Sequence, residues 1–282
     1  MIEVISVLGA GTMGNGIAQV AAMAGYQVFL YDIKEEFVTR GLNNIKNNLD
    51  KGVEKGKVSS EARDQALANI KTTIDLTEAA KTANLVIEAV PESLELKQNI
   101  FSQLDEICHS STILASNTSS LSIKDIANST KRPSQVLGMH FFNPVHIMKL
   151  LEVVCTQETS ENTIQIVLEV SKKLGKEPIL VKDSPGFASS RLGIALGLEA
   201  MRMVEQEVAS PADIDKAMEL GYNHPMGPLK LTDLVGLDVR LNIADYLHTT
   251  LGSEVFRAPE ILRKKVAEGK LGKKSGEGFY KW

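Results

Sequence analysis

The segment Gly9-Ala10-Gly11-Thr12-Met13-Gly14 has the spacing G-x-G-x-x-G and directly follows the short β-branched apolar run Val4–Leu8. Strand, glycine turn and helix in that order are what the binding of a pyrophosphate requires. Gly9 permits the tight turn, Gly11 leaves the backbone uncovered for a phosphate, and Gly14 lets helix and strand pack closely. A helix opening at Thr12 and Met13 then offers unpaired N–H groups and a partial positive charge. Glycine patterns also occur in turns that hold no ligand, so the context decides. Here a second strand-like run, Gln27–Tyr31, ends at Asp32, whose carboxylate can accept from ribose hydroxyls and repel a 2′-phosphate. Ile33 follows in place of an arginine. These residues read as a site for NAD rather than NADP.

The elements that must position this turn fit an ordinary globular chain. It has 282 residues, 43% hydrophobic and 23% charged, enough apolar material for a core and too little charge for disorder. At this length two domains are expected, because single cores seldom grow past about 250 residues. With 31 basic and 35 acidic residues the formal charge is −4, so no broad cationic field exists to neutralise a nucleic-acid backbone. No apolar stretch approaches the ~20 residues that span a bilayer, and the opening Met1-Ile2-Glu3-Val4-Ile5 has no basic n-region. A cytoplasmic protein without membrane or nucleic-acid partners is expected. Cys108 and Cys155 sit in apolar contexts without a second Cys or His at zinc spacing, which reads as buried reduced thiols and no metal site.

Strand, glycine turn, helix and strand make one right-handed βαβ unit and commit the fold to a parallel sheet. The helix is expected over 13–24, with Gly25 as its C-terminal glycine. Leu42, Ile45, Leu49 and Val53 recur at spacings of three and four, so 35–67 is predicted to be a helical pair projecting from the sheet, bent near Gly52 and Gly56. Strands are predicted over 70–74, 85–90 and 113–116, and helices over 94–108, 122–127 and 164–174. The last strand-like runs of this part are 136–142 and 150–154, separated by Asn143-Pro144-Val145-His146. The character changes at Asp183-Ser184-Pro185-Gly186-Phe187. Beyond it 190–207 reads as a long helix, and Ser210-Pro211-Ala212-Asp213 as a helix start; no strand is expected before 278–280. The expected fold is an α/β Rossmann-type N-terminal domain (1–185) with a mostly parallel sheet and a helical excursion, followed by an all-α C-terminal domain (186–282).

Further motifs resemble those of the L-3-hydroxyacyl-CoA dehydrogenase family. They are Glu88-Ala89-Val90-Pro91-Glu92, Ser116-Asn117-Thr118-Ser119-Ser120, Gly138-Met139-His140-Phe141-Phe142-Asn143-Pro144, Lys149-Leu150-Leu151-Glu152-Val153-Val154, Lys182-Asp183-Ser184-Pro185-Gly186-Phe187, His224-Pro225-Met226-Gly227-Pro228, and Gly272-Lys273-Lys274-Ser275-Gly276-Glu277-Gly278-Phe279-Tyr280. They run through the whole chain in the family's order. The resemblance implies that His140 is the catalytic base and Glu152 its partner. Local chemistry agrees: if the two apolar runs are neighbouring strands, the carboxylate can face the imidazole, fix its tautomer and stabilise the imidazolium. A structural His–Glu hydrogen bond would use the same two residues. The resemblance also assigns Ser119 to the substrate oxygen and Asn117 to the cofactor loop. Glu92, Lys97 and Lys274 match cofactor contacts, and Asn143 is a further active-site amide or the cap of the turn before Pro144. In the cluster Lys51, Lys55 and Lys57, which a solvated lysine-rich helix end would also explain, Lys55 matches a lysine that contacts coenzyme A, with Asn48 on the same face.

One position departs from the family. After Pro185-Gly186-Phe187 it carries an Asn before the Arg, where this chain has Ser190 before Arg191. A hydroxyl is shorter than an amide and cannot present its NH2 donors and carbonyl together, so Ser190 can hold a substrate carbonyl only in a shifted geometry or through water. The resemblance implies interconversion of an (S)-3-hydroxyacyl-CoA and a 3-oxoacyl-CoA with NAD, the 3-hydroxybutyryl-CoA and acetoacetyl-CoA pair foremost, or 3-hydroxyadipyl-CoA. It also implies an acyl-CoA substrate cleft and a homodimer through the helical domain, where Leu192, Leu196 and Met203 are expected to present an apolar face. Two other readings share the fold. A 6-phosphogluconate-type dehydrogenase would need a catalytic lysine in the helical domain, which no motif supplies, and a crystallin-like NAD-binding protein would lack turnover.

Overall fold

The computed structural model describes residues 2–282, which divide into two compact units between Ser184 and Pro185. The first opens with β1 (Val4–Leu8), α1 (Thr12–Met23) and β2 (Gln27–Tyr31). Next come α2 (Glu35–Glu54), α3 (Ser60–Ala68), β3 (Ile70–Thr73), α4 (Leu76–Ala80), β4 (Leu85–Glu88) and α5 (Leu94–Ile107). The unit closes with β5 (Ile113–Ser116), α6 (Ile123–Ala127), β6 (Val136–Phe141), β7 (Leu150–Cys155), α7 (Glu161–Lys173) and β8 (Glu177–Lys182). All the strands join one sheet in the order β3-β2-β1-β4-β5-β6-β7-β8, parallel throughout except where β6 meets β7. The mostly parallel sheet of the Rossmann-type expectation is therefore present. Strands β1, β4 and β5 are buried almost completely, as a sheet covered on both faces requires.

The strand order reverses beside β1, which lies between β2 and β4, so the crevice at the carboxyl ends of β1 and β4 is the topological switch point. The helical pair over 35–67 is present as α2 and α3. It does not project along its length: Val38, Ile45 and Leu49 are fully buried in the same core as Ile17 and Ala21 of α1. Its outer face is exposed along its length, as are Lys51, Lys55 and Lys57 at its far end.

Two elements of the first unit escaped the sequence reading. Helix α4 is a single short turn capped by Asp75, whose side chain accepts from Thr77 N and Glu78 N. Strand β8 is an edge strand paired only with β7, so 150–154 is not the last strand of the unit. Its Pro178 lacks a donor and its exposed Ile179 and Leu180 give no inward-facing alternation, so neither pattern that marks a buried strand is present.

The second unit consists of α8 (Ser189–Glu205), α9 (Pro211–Gly221), α10 (Pro228–Val235), α11 (Leu237–Leu251) and α12 (Glu260–Ala267) around Ile194, Leu198, Met201, Leu229 and Leu247. Ser210 caps α9 as its sequence suggests, accepting from Asp213 N. Near the C-terminus there are only isolated bridges, Gly272 with Glu277 and Glu277 with Lys281. Of the residues expected on an apolar face, Leu192 is 71% exposed, whereas Met203 packs on the core and Leu196 is half-buried. No helix among the described residues is long and apolar enough to cross a membrane.

Both cysteines are free thiols; Cys108 is buried, while Cys155 is half-buried because it ends a strand beside the edge. Burial pushes each thiol up to about 11 from 9.0. Native thiols therefore keep their protons where unfolded ones ionise. Their contribution to stability is full below pH 9.0 and is lost as pH rises toward about 11. Alkylation at pH 8 should be much slower in the native protein than in urea; equal rates would contradict this burial.

Candidate active site

The turn after β1 has the geometry its glycines suggest. Gly9 has φ +96°, in the region that favours glycine, and a Cβ on Gly14 would stand 1.6 Å from the Gly9 carbonyl oxygen. Gly11 is exposed, with nothing within 4 Å of where a Cβ would be. Side-chain oxygens of Ser59, Asp75, Ser93, Ser122 and Ser160 cap α3 to α7, but no side chain caps α1. Its first N–H groups around Thr12, Met13 and Gly14 are thus left for an external acceptor, which fits a dinucleotide phosphate. Asp32 lies at the same turn: its Oδ2 accepts from Ala10 N at 2.8 Å and its Oδ1 from Ile33 N at 2.7 Å. Asn15 was not foreseen; its Nδ2 donates to Gly11 O at 2.6 Å and braces the turn.

His140 and Glu152 are directly opposed in the antiparallel β6–β7 pairing. Nδ1 of His140 lies 2.7 Å from Glu152 Oε2, with the glutamate fully buried and the histidine 7% exposed. The Phe142 ring packs on the imidazole at a centroid distance of 4.5 Å. Beside it, Asn117 Oδ1 accepts from Phe141 N at 2.9 Å, which ties the end of β5 to the strand carrying His140. The loop joining β6 to β7 begins with a cis Asn143–Pro144 bond and is pinned by Lys176, whose buried Nζ donates to the carbonyls of Val145 and Met148. Burial pushes that ammonium below its usual range.

Ser119 lies in the loop after β5, where Glu92 gathers its neighbours. Glu92 Oε1 accepts from Thr118 Oγ1 at 2.6 Å, from Ser119 N at 3.0 Å and from Ser119 Oγ at 3.3 Å. Lys97 is 1% exposed: its Nζ donates to Glu88 Oε1 at 2.7 Å and lies 3.4 Å from Glu92 Oε2. Glu88, fully buried, also accepts from Ser116 Oγ and Val90 N. Glu88 went unassigned in the sequence, although an acid ending the apolar strand Leu85–Glu88 was a visible signal. Asp183 accepts from Ile123 N and Lys124 N, fastening α6 behind the same loop.

A cleft of about 270 Å³ in this unit is lined by Thr12, Asn15, Asn44, Asn48, Asn143 and His146, so three of the candidate residues meet there. Lys55 ends α2 and is exposed beyond it. A larger hollow of about 740 Å³ opens at the other end of the sheet beside Glu3, Tyr26 and Lys173. We favour the smaller one as the functional cleft, since parallel sheets bind ligands at the carboxyl ends of their strands. Ser190 and Lys274 belong to the second unit. Ser190 lies in the first turn of α8, half-buried, and Lys274 Nζ lies 2.6 Å from Asp238 Oδ1.

Fold and site together place the chain among NAD-dependent oxidoreductases that act on CH–OH groups. It belongs to the 3-hydroxyacyl-CoA dehydrogenase family: the family's NAD binding domain matches residues 4–184 and its C-terminal domain residues 186–282. The chain is 48% identical to a probable 3-hydroxybutyryl-CoA dehydrogenase of Deinococcus radiodurans, over 98% of this chain and 99% of the relative. It is 41% identical to 3-hydroxyadipyl-CoA dehydrogenase of Escherichia coli K12, over all of this chain and 59% of that one. The crystal structure of (S)-3-hydroxybutyryl-CoA dehydrogenase from Ralstonia eutropha superimposes with a TM-score of 0.97 at 41% identity, covering 100% of this chain and 99% of that one.

Replacing Lys97 by Met leaves Glu88 as a buried carboxylate without its cation, which should cost about 3–5 kcal/mol. Urea denaturation checks this; a loss under 1 kcal/mol would mean that water or another donor replaces the ammonium.

Proposed function

We propose that this enzyme interconverts (S)-3-hydroxybutyryl-CoA and acetoacetyl-CoA, with His140 as the acid–base group. The observation that carries the reading is the buried 2.7 Å contact between His140 Nδ1 and Glu152 Oε2. Nδ1–H donates a hydrogen bond to Glu152, so the neutral ring presents Nε2 as a proton acceptor, and the same carboxylate stabilises the imidazolium once Nε2 is protonated. In oxidation Nε2 takes the C3 hydroxyl proton; in reduction it returns a proton to the oxygen at C3. Ser119 orients that oxygen, assisted by Ser190. When bound, NAD supplies the acceptor for the hydride that leaves C3, and its reduced form the donor in reverse. Gly9, Gly11, Thr12, Met13 and Gly14 hold its phosphates, Asp32 its ribose, and Glu92, Asn117, Asn143 and Lys274 line its site. Lys97 serves that site by holding Glu92. Asn48 and Lys55 meet the coenzyme A moiety.

Residues 1–185 carry the cofactor, and the helical part 186–282 carries a substrate cleft and a dimer surface. Leu192, Leu220 and Tyr222, each more than two-thirds exposed on the helical unit, support a homodimer through that unit.

Oxidation of NADH by purified protein with acetoacetyl-CoA tests the reaction, and its absence would overturn the reading. His140→Gln and Glu152→Gln should each lower kcat by roughly 10²- to 10⁴-fold with folding retained; near-normal turnover in either removes that residue from the mechanism. Asp32→Ala should shift the NADH-to-NADPH ratio of kcat/KM toward NADPH, and an unmoved ratio would contradict its ribose role. Sedimentation at micromolar concentration should show a species twice the 30.7 kDa chain; a monomer alone would overturn the dimer.

A further inference from the structure

The guanidinium of Arg240, on α11, is buried in the helical unit without a counter-ion. The residue is 7% exposed, and its Nε is sealed from solvent with no acceptor. Burial pushes its pKa down to about 10, with no nearby carboxylate to offset the effect. A folded protein rarely keeps a buried cation unpaired, because the desolvation cost goes uncompensated. An acceptor that arrives with a ligand resolves the cost.

The surroundings show where that acceptor would sit. A Cβ on Gly193 of α8 would stand 3.3 Å from Arg240 Nη1, so the guanidinium occupies room left by the missing side chain. Gly193 is half-buried, so the guanidinium lies near the edge of the helical core. Ser190 stands three positions earlier on the same face of α8, about one turn away. A serine hydroxyl offers a single donor, and the guanidinium beside Gly193 has an unsatisfied Nε.

We propose that Arg240 and Ser190 together form a binding site for an oxygen of the acyl group, Arg240 supplying the N–H donors that the serine lacks. This rests on the acyl-CoA reading given above. The oxygen is a thioester carbonyl, or the terminal carboxylate of a 3-hydroxydicarboxylyl-CoA; both are acceptors that a guanidinium binds. Arg240 is then a substrate-contacting residue that sets acyl specificity.

The test compares the unsubstituted protein with Arg240→Met and Arg240→Lys, using NADH with acetoacetyl-CoA and with 3-oxoadipyl-CoA. Arg240→Met should lower kcat/KM for the thioester about 10- to 100-fold, leave KM for NADH unchanged, and hold or raise the melting temperature, since an unpaired buried charge is removed. Arg240→Lys should recover part of the loss. An equal loss with both thioesters identifies the carbonyl as the bound oxygen; a loss confined to 3-oxoadipyl-CoA identifies the carboxylate. Unchanged kcat/KM with both overturns the proposal, as does a loss accompanied by a lower melting temperature and weaker NADH binding. No turnover in the unsubstituted protein overturns the parent reading and this one with it.

Discussion

Glu152 is fully buried, and a buried carboxylate needs a committed partner. The one antiparallel pairing of the sheet provides it, because opposed residues on adjacent antiparallel strands bring their side chains within reach. A parallel β6–β7 pair would need a long crossover between them and could not be joined by the short loop that starts at Asn143. The reversal of direction thus serves the His140–Glu152 contact, and much of the neighbouring structure holds that reversal in place. Lys176 pins the connecting loop through two carbonyls, β8 covers the outer edge of β7, and Asn117 ties Phe141 to the end of β5.

A second buried charge system lies at the ends of β4 and β5. Glu88, Lys97 and Glu92 form a chain in which one buried ammonium is shared by two carboxylates, and the partly exposed Glu92 gathers Thr118 and Ser119. Such a network is costly to break and orients the loop at its end, as the role proposed for Ser119 requires. Lys97, which the resemblance implied to be a cofactor contact, is almost wholly enclosed. Arg240 contrasts with it: there the compensation is missing, as expected of a group whose partner is not part of the chain.

Much of this was legible in the sequence, for local reasons. The glycine spacing, the apolar run before it and Asp32 after β2 define the dinucleotide turn, because each constraint acts within a few residues. The break at Pro185-Gly186 and the helical periodicity beyond it likewise rest on local backbone preferences. The motif order that resembles the family carried the reaction class. Strand β8 and helix α4 were not legible: an exposed edge strand has no buried face to impose alternation, and a single turn is too short to show a period.

The sequence alone determined that there would be a parallel sheet, a phosphate-binding turn, a helical second part, and a histidine and a glutamate on two apolar runs. Tertiary structure decided which charges would meet. That Lys97 turns inward to Glu88, that Glu92 gathers the serine loop, that the His140 ring faces Glu152, and that Arg240 lies unpaired against Gly193 depend on strand order, register and helix packing. These join residues far apart in the chain. Composition and spacing report what each residue prefers; only the packed fold sets the distances that electrostatics and hydrogen bonds require.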